Sequence, residues 1–529
     1  MIASLLSLAL LPDVTWMLSQ TIQPQTMQRN ASSSVELPVA SGPYPLGREA
    51  DHATVAINSN NDILAVFHTD LAANQKQVEV VYWRYVNGSS PETWTTVFTP
   101  PQYSDTVMVV GDSDPNPILD SGTRKCERPA VVAVDEYFCV VWSRTYTKTG
   151  PANDLSLVEC AWIKWDPQAG VPGIQNGAPV IIGLGPNKEG FQLLPNNLTT
   201  GLPDPIQVEE CSGVADVTGL GFDATTNTWR VMVAYVHQTQ FGGTNPSNGN
   251  GERRFEMRFV ECGLNPSSLA VSRFDVDYTI SGIKFNGYNK LDASGSLELD
   301  TGGLILPELA RGASMNTLFL TFEEQWESPP PASDPFDGRI RLGVLVRTPG
   351  TAVTLTLDAL ASYISPARTR RRSQLSSNDT NSVTFAFTEG DTPLDDGDLV
   401  VEEWGYVNGN LARRPYIDAP FSFMTSSSDD LRPVTVHGAS NPDFRRCYFE
   451  RVNATTCEIL EFNPLTPEGT GNPRVIVSSP ATEPLGRPAT DYLYNSTTSA
   501  GAPHYVPLTY QKTVPVLGKQ RVFIRSLGY

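Results

Sequence analysis

The stretch from Cys126 to Arg144, CERPAVVAVDEYFCVVWSR, decides the reading of the chain. An apolar run from Ala130 to Val134 meets a polar turn at Asp135 and Glu136, and a second apolar run ends on Trp142. This pattern predicts two adjacent antiparallel strands joined by a tight turn. The second strand carries a signature: an apolar residue two places before an aromatic, with a polar residue soon after.

The signature recurs. It is found at Phe67 (AVFHTD), Trp142 (VVWSRT), Tyr235 (VAYVHQ), Phe322 (LTFEEQ), Phe387 (FAFTEG), Phe449 (CYFERV) and Tyr510 (LTYQKT), with a mean spacing near 74 residues. A candidate first strand precedes each aromatic: ADHATVAI, ERPAVVAV, SGVADVTGLGF, LPELARG, RTRRRSQL, LRPVTVH and GRPATDYLY. Two further strand-like runs follow within each unit, for example QVEVVYWRYV and TWTTVF after Phe67. A four-stranded meander cannot bury both faces alone, so such units stack radially and share apolar faces. The expected fold is therefore all-β, a seven-bladed β-propeller of four-stranded antiparallel blades. Only 19 residues follow Tyr510, enough for one more strand, QRVFIRSLGY. The segment SSSVELPVA, Ser32 to Ala40, is expected to complete the last blade by pairing Val35 to Val39 with the strand around Arg521 to Arg525.

Composition agrees. In 529 residues there are 42 Pro and 41 Gly, 18% of residues are charged, and no long run has helical periodicity. Net charge is −19, with acidic residues spread along the chain, which argues against nucleic acid as a partner. The basic run at Arg368, Arg370, Arg371 and Arg372 falls at a junction between units and reads as a solvated connection. The apolar run Ile2 to Leu11 has the length of a signal-peptide core and is too short to span a bilayer. The expectation is a leader over residues 1–30, a single propeller domain over 31–529, no membrane span, and a secreted or periplasmic location.

Seven cysteines at strand-like spacings, none in a CxxC arrangement, fit disulfides better than a metal site. Cross-strand bridges are expected for Cys447 with Cys457 and for Cys139 with Cys160, if the registers bring each pair together. Cys126 with Cys211 would leave Cys262 odd; Cys211 with Cys262 would free Cys126; all seven could also be reduced core residues. Six Asn-x-Ser/Thr sequons, at Asn30, Asn87, Asn197, Asn378, Asn453 and Asn495, are no more than an Asn- and Thr-rich chain supplies by chance. Asp112, Asp114 and Asn116 in GDSDPNP, and Asp391, Asp395, Asp396 and Asp398 in GDTPLDDGD, gather oxygens suited to structural Ca²⁺, although neither run is an EF-hand loop. No other cofactor is expected: there is no P-loop, dinucleotide fingerprint, GxSxG elbow or HExxH.

Strand direction says where to look for function. In antiparallel units the start of the first strand and the end of the second share one face. First strands bring Arg48, Arg128, Glu210, Glu308, Arg370, Arg432 and Arg487 to it. Second strands bring His68, Arg144, His237, Glu323, Glu389, Glu450 and Gln511. The long loops TYTKTGPAND, QTQFGGTNPSNGNGE, EQWESPPPASDPFDG and EGDTPLDDGD open on the same face, as binding loops do. His52 and His437 lie within first strands, where a hydrogen-bonded core role is the commoner outcome.

The repeat as a whole resembles the β-propeller superfamily in a secreted bacterial style. Arg128, Arg432 and Arg487 share an Arg-Pro dipeptide ahead of an apolar strand, and together they resemble the arginine cluster of sialidases, which are also propellers. The family's Asp-box repeats are absent; NGSSPETW, ending at Trp94, keeps only the Trp and the turn. Two functions are weighed. The first is a secreted, non-catalytic binding or scaffold module that presents its loop face to a protein or carbohydrate. The second, implied by the resemblance, is a glycan-active enzyme on acidic sugars, with the three arginines clamping a carboxylate and Glu308 or Glu323 as acid or base. A structural role in an extracellular assembly is the third reading. Convergence of these side chains in one axial pocket discriminates among them.

Overall fold

A computed structural model of the chain describes residues 24–38, 49–72, 75–97, 107–110, 124–146, 155–170, 176–185, 189–193, 206–207, 215–244, 251–277, 290–291, 297–298, 303–325, 339–350, 353–362, 369–377, 381–390, 397–414, 422–423, 429–437, 444–466, 472–491, 505–515 and 518–529. These residues are all-β, and no helix occurs among them. The strands fall into antiparallel meanders taken in chain order, here called units 1 to 7. Unit 1 runs Ala50–Ile57, Ile63–Ala72, Gln75–Val86 and Thr93–Thr96; unit 2 runs Arg124–Val134, Tyr137–Tyr146, Leu155–Asp166 and Ala178–Ile182. Unit 3 has Ala215–Asp223, Thr228–Thr244, Gly251–Leu264 and Val271–Asp277, and unit 4 has Gly303–Arg311, Thr317–Gln325, Arg339–Thr348 and Val353–Ser362. Unit 5 comprises Thr369–Ser377, Ser382–Gly390, Asp398–Val407 and Asn410–Arg414, and unit 6 comprises Asp429–His437, Arg445–Val452, Thr456–Phe462 and Arg474–Pro480. Unit 7 has Leu485–Thr490, Tyr505–Val514 and Lys519–Gly528, and takes its fourth strand, Val35–Glu36, from the N-terminal region.

The quoted stretch folds as read. Val134 pairs with Tyr137 across a two-residue turn, and Asp135 takes φ 54°, the left-handed conformation that two-residue hairpins demand. The signature aromatics explain how the units hold together. Phe67, Trp142, Tyr235, Phe322, Phe387, Phe449 and Tyr510 are all buried. Each belongs to a different apolar cluster, and each cluster joins its own unit to the preceding one. Trp142 packs with Leu64, Val66 and Val80 of unit 1; Tyr235 with Val141 and Trp162 of unit 2; Phe322 with Met232 and Phe259 of unit 3. Phe387 meets Phe319 and Leu342 of unit 4, Phe449 meets Ala386 and Leu399 of unit 5, and Tyr510 meets Tyr448 and Ile459 of unit 6. Phe67 of unit 1 lies with Val522 and Ile524 of unit 7, so the last unit packs on the first. The arrangement is β-propeller-like.

The N-terminal segment fastens that junction twice. Val35 and Glu36 pair with Ile524 and Phe523, and the Leu37 N–H donates to the Val522 carbonyl at 2.9 Å, as the closure expectation required. Sequence reading missed the second attachment. Thr26–Gln28 pairs antiparallel with Thr93–Thr96 at the outer edge of unit 1, and Met27 is buried in the cluster between units 7 and 1. Arg29 spans the seam, 3.3 Å from Glu92 of unit 1 and 3.3 Å from the Tyr529 carbonyl. Deleting residues 1–40 is therefore expected to remove amide-exchange protection first from residues 519–527 and 93–96. Unchanged protection there would show that the strap is dispensable.

Two cysteine expectations are corrected by register. Cys447 pairs with Phe462, whereas Cys457 pairs with Val452, so the two thiols are five rungs apart and on opposite faces of unit 6. They lie in different clusters, with Cys447 toward unit 5 and Cys457 toward unit 7, and no bridge joins them. Cys139 pairs with Trp162 and Cys160 with Val141; these thiols share a face as diagonal neighbours and are not bridged either. Several expectations fall outside the described residues: residues 1–23 of the leader, Asp112, Asp114, Asn116, Arg48, Glu210, Cys211 and most of the four long loops. Residues 24–30, expected as the end of the leader, are instead part of the fold through the strand Thr26–Gln28. No helix among the described residues is long and apolar enough to cross a membrane.

Candidate functional site at the mouth of the central channel

The first strands of the units line one cavity of about 740 Å³. Its most regular feature is a β-bulge in six of the units, placed opposite the signature aromatic each time. The skipped pairs are 52–53, 128–129, 306–307, 372–373, 432–433 and 487–488, facing Phe67, Trp142, Phe322, Phe387, Phe449 and Tyr510. Unit 3 differs: Ala215 pairs directly with Tyr235, and residue 214 before it lies outside the described residues. A bulge re-aims a side chain and increases local twist. Four bulge residues take positive φ: His52 at 49°, Arg128 at 53°, Arg432 at 48° and Arg487 at 47°. This region costs a non-glycine residue about 1 kcal/mol or more, and such strain gathers at functional sites. The Arg-Pro dipeptides noted in the sequence are thus bulge pairs, and all four residues line the channel from the adjacent units 6, 7, 1 and 2.

These residues form a cationic wall. Arg432 Nη1 donates to Glu450 Oε2 at 2.9 Å, and Arg487 Nη1 donates to Asp51 Oδ1 at 2.8 Å, reaching across from unit 7 to unit 1. Gln511 also donates to Asp51. Burial depresses the Arg487 guanidinium, and the neighbouring charges of Arg432 and Arg128 add to that effect. Burial alone would raise the Asp51 carboxyl, but the His52 hydrogen bond and the charges around it hold it well below the usual carboxylate range. Two stacked imidazoles complete the wall, with the His52 and His68 ring centroids 4.9 Å apart. Burial pushes both imidazoles below the usual histidine value, His68 further, and for His68 the charges of His52 and Lys76 act in the same direction. The Arg128 N–H donates to His68 Nδ1 at 3.3 Å, which disfavours a proton there.

One carboxylate oxygen and two imidazole nitrogens, from Asp51, His52 and His68, lie within 4.8 Å of one another, a set that suits a divalent cation by ligand type. Arg487 already supplies the positive charge this set requires, with Nη1 also 2.6 Å from His52 Nε2. With Arg128 and Lys76 close by, the trio reads as part of an anion site.

Immediately after the bulge, one residue per unit forms the next layer: Thr54, Ala130, Asp216, Glu308, Gln374, Val434 and Ala489, each paired with the residue before its signature aromatic. All seven line the channel. The layer is polar on the side opposite the arginines. Asp216 Oδ2 accepts the Leu309 N–H at 2.6 Å, and Gln374 hydrogen-bonds Glu308. Burial pushes the Asp216 carboxyl up to about 7. Burial, and then the charge of Asp216, pushes Glu308 well above the usual range. A carboxyl pair that retains protons near neutrality therefore faces a cationic wall.

Of the residues singled out from sequence, Arg128, Arg432, Arg487 and Glu308 line the channel, and His68 is buried directly behind His52. Glu323 is a correction: it is buried outside the channel lining, and its charge helps to raise Glu308. The backbone of His237 pairs with Glu256, and its side chain lies outside the description. His52, expected as a core histidine, lines the channel instead. Asp51, Asp216 and Gln374 were missed. Their only sequence signal is their offset from the aromatics, which becomes meaningful once the bulge is known.

No protein-family model matches the chain, and no curated protein matches it. Among solved structures, a Trypanosoma rangeli sialidase in complex with sialic acid aligns at 10% identity and TM-score 0.38, covering 95% of this chain and 59% of its own. The chain thus spans less than two thirds of that sialidase. An ulvan lyase described as a new family of polysaccharide lyase aligns at 6% identity and TM-score 0.44, covering 94% and 95%. A protein of unknown function from Dyadobacter fermentans aligns at 8% identity and TM-score 0.36, covering 96% and 98%.

Proposed function

We propose that the chain is a seven-bladed β-propeller whose channel mouth binds the anionic group of an acidic glycan. Seven apolar clusters, one at each junction including 7 to 1, support the blade count. The observation that carries the function is the convergence of Arg128, Arg432, Arg487 and His52 on one wall of the channel. All three guanidinium groups sit on bulges, and Arg432 and Arg487 are also held by Glu450 and Asp51, so they are pre-aimed and little entropy is lost when they take a carboxylate or sulfate. Secretion remains part of this reading, supported by the apolar run at Ile2 to Leu11.

Calorimetric titration with acidic and neutral oligosaccharides tests the binding. The acidic series is expected to bind and to weaken with added salt. Arg128→Ala is expected to lower affinity roughly ten- to a hundredfold, the worth of one charge-assisted hydrogen bond. Acidification from pH 8 to pH 5 is expected to strengthen binding. Asp216, with its value near 7, loses negative charge over that interval while Asp51 stays ionised, and any protonation of His52 or His68 adds positive charge. Equal binding of neutral sugars, or indifference to Arg128→Ala, would overturn the proposal.

A second reading, catalysis on the same glycan, is favoured by the Asp216 and Glu308 pair. A carboxyl that is still protonated near neutrality is what a general acid requires. Chain cleavage of an acidic polysaccharide, lost in Glu308→Gln with binding retained, would establish it; binding without turnover leaves the protein a lectin-like module.

A further inference from the structure

Three thiols meet in the core between units 2 and 3. Cys139 and Cys160 reach the interface from unit 2 and Cys262 from unit 3, all fully buried in one cluster. Cys160 Sγ and Cys262 Sγ are 3.4 Å apart, and the Trp162 Nε1–H donates to Cys262 Sγ at 3.4 Å. The other described cysteines, Cys126, Cys447 and Cys457, each lie in a cluster that holds no second cysteine. We propose that Cys160 and Cys262 form a disulfide that staples unit 2 to unit 3 when the chain folds in the presence of a disulfide oxidant.

Register selects this pair over the one expected from sequence. Cys139 and Cys160 are diagonal neighbours across a ladder, where Cα atoms are about 7–8 Å apart, beyond the usual disulfide range. Cys160 and Cys262 face each other across a packed interface, and side-chain rotation must bring their sulfurs from 3.4 Å to about 2.05 Å. The exchange is balanced: the Cys262 thiolate attacks a disulfide of the oxidant and releases one thiol, then Cys160 displaces the second thiol and closes the bridge. Two protons and two electrons leave the cysteines, and the oxidant is reduced to two thiols. Because both sulfurs are inaccessible in the packed fold, exchange must precede the docking of unit 3 on unit 2. The bridge closes a span of 102 residues, long enough for a large effect on the unfolded chain.

Protein folded with oxidised glutathione, or recovered from an oxidising compartment, is alkylated under denaturing conditions without reductant and mapped by mass spectrometry. The expected result is a linked peptide pair containing Cys160 and Cys262, with Cys139 alkylated. Reductant should then lower the melting temperature of the wild type and of Cys139→Ala by several degrees, and leave Cys262→Ala unaffected. A Cys139 to Cys160 link, or full alkylation of all three thiols, overturns the proposal.

Discussion

Glu261→Ala is expected to destabilise the fold by about 3–5 kcal/mol, the cost of leaving buried charge unpaired. Glu261 lies in the third strand of unit 3 with no exposed surface and sits between two guanidinium groups. Arg230 of the same unit approaches it at 3.2 Å. Arg347, which crosses from unit 4, donates to it through Nε and through Nη2, the latter at 3.0 Å. Arg347 is itself anchored by Asn316 at 3.1 Å, and Arg230 by Asp223 at 3.1 Å and by the face of Phe274. Removing the carboxylate takes from Arg347 its carboxylate partner in an interior that cannot hydrate it, and leaves Arg230 with Asp223 alone. Urea unfolding measures the loss, and a pair of changes separates charge from packing: Glu261→Leu with Arg347→Leu should recover part of it, because two matched apolar groups leave fewer buried charges than the single variant does. A loss below about 1 kcal/mol would show that water reaches the cluster.

Trp142→Ala is expected to cost a similar amount, about 3–5 kcal/mol, by opening a cavity at the junction of units 1 and 2. The ring is fully buried, and the chain gives up a side chain to accommodate it. A Cβ placed on Gly190 would lie 2.5 Å from Trp142 Cζ2 and 2.9 Å from the Cys160 carbonyl oxygen. Gly190→Ala should therefore also destabilise, since the backbone oxygen cannot yield. The Gly190 N–H is itself engaged, donating to Glu159 at 3.1 Å, which fixes the glycine against the ring. An unchanged melting temperature in Trp142→Ala would mean that the aromatic is no part of the junction.

Burial made these aromatics legible in the sequence. One large side chain per unit must fill each junction, so the period survives although little else repeats. The closing strand was legible for a related reason: the last unit is visibly one strand short. Arg128, Arg432 and Arg487 stood out because the bulge left the same dipeptide in three units. Register was not legible. A signal in composition says that strands pair, but not which rung faces which, and a slip of one reverses every side chain. Cys447 and Cys457 looked like hairpin partners and lie five rungs apart. Asp216 looked like one polar residue in an apolar run, and only its pairing with Ala234 places it in the channel layer beside Glu308 and Gln374. Thr26–Gln28 is too short to carry a periodic signal.

A crystal structure of the protein with a bound acidic oligosaccharide tests the central claim most directly. The account predicts the carboxylate or sulfate within hydrogen-bonding distance of Arg128, Arg432 or Arg487, with sugar hydroxyls turned toward Asp216, Glu308 and Gln374. An oligosaccharide bound elsewhere, with the channel mouth occupied only by solvent, would contradict it.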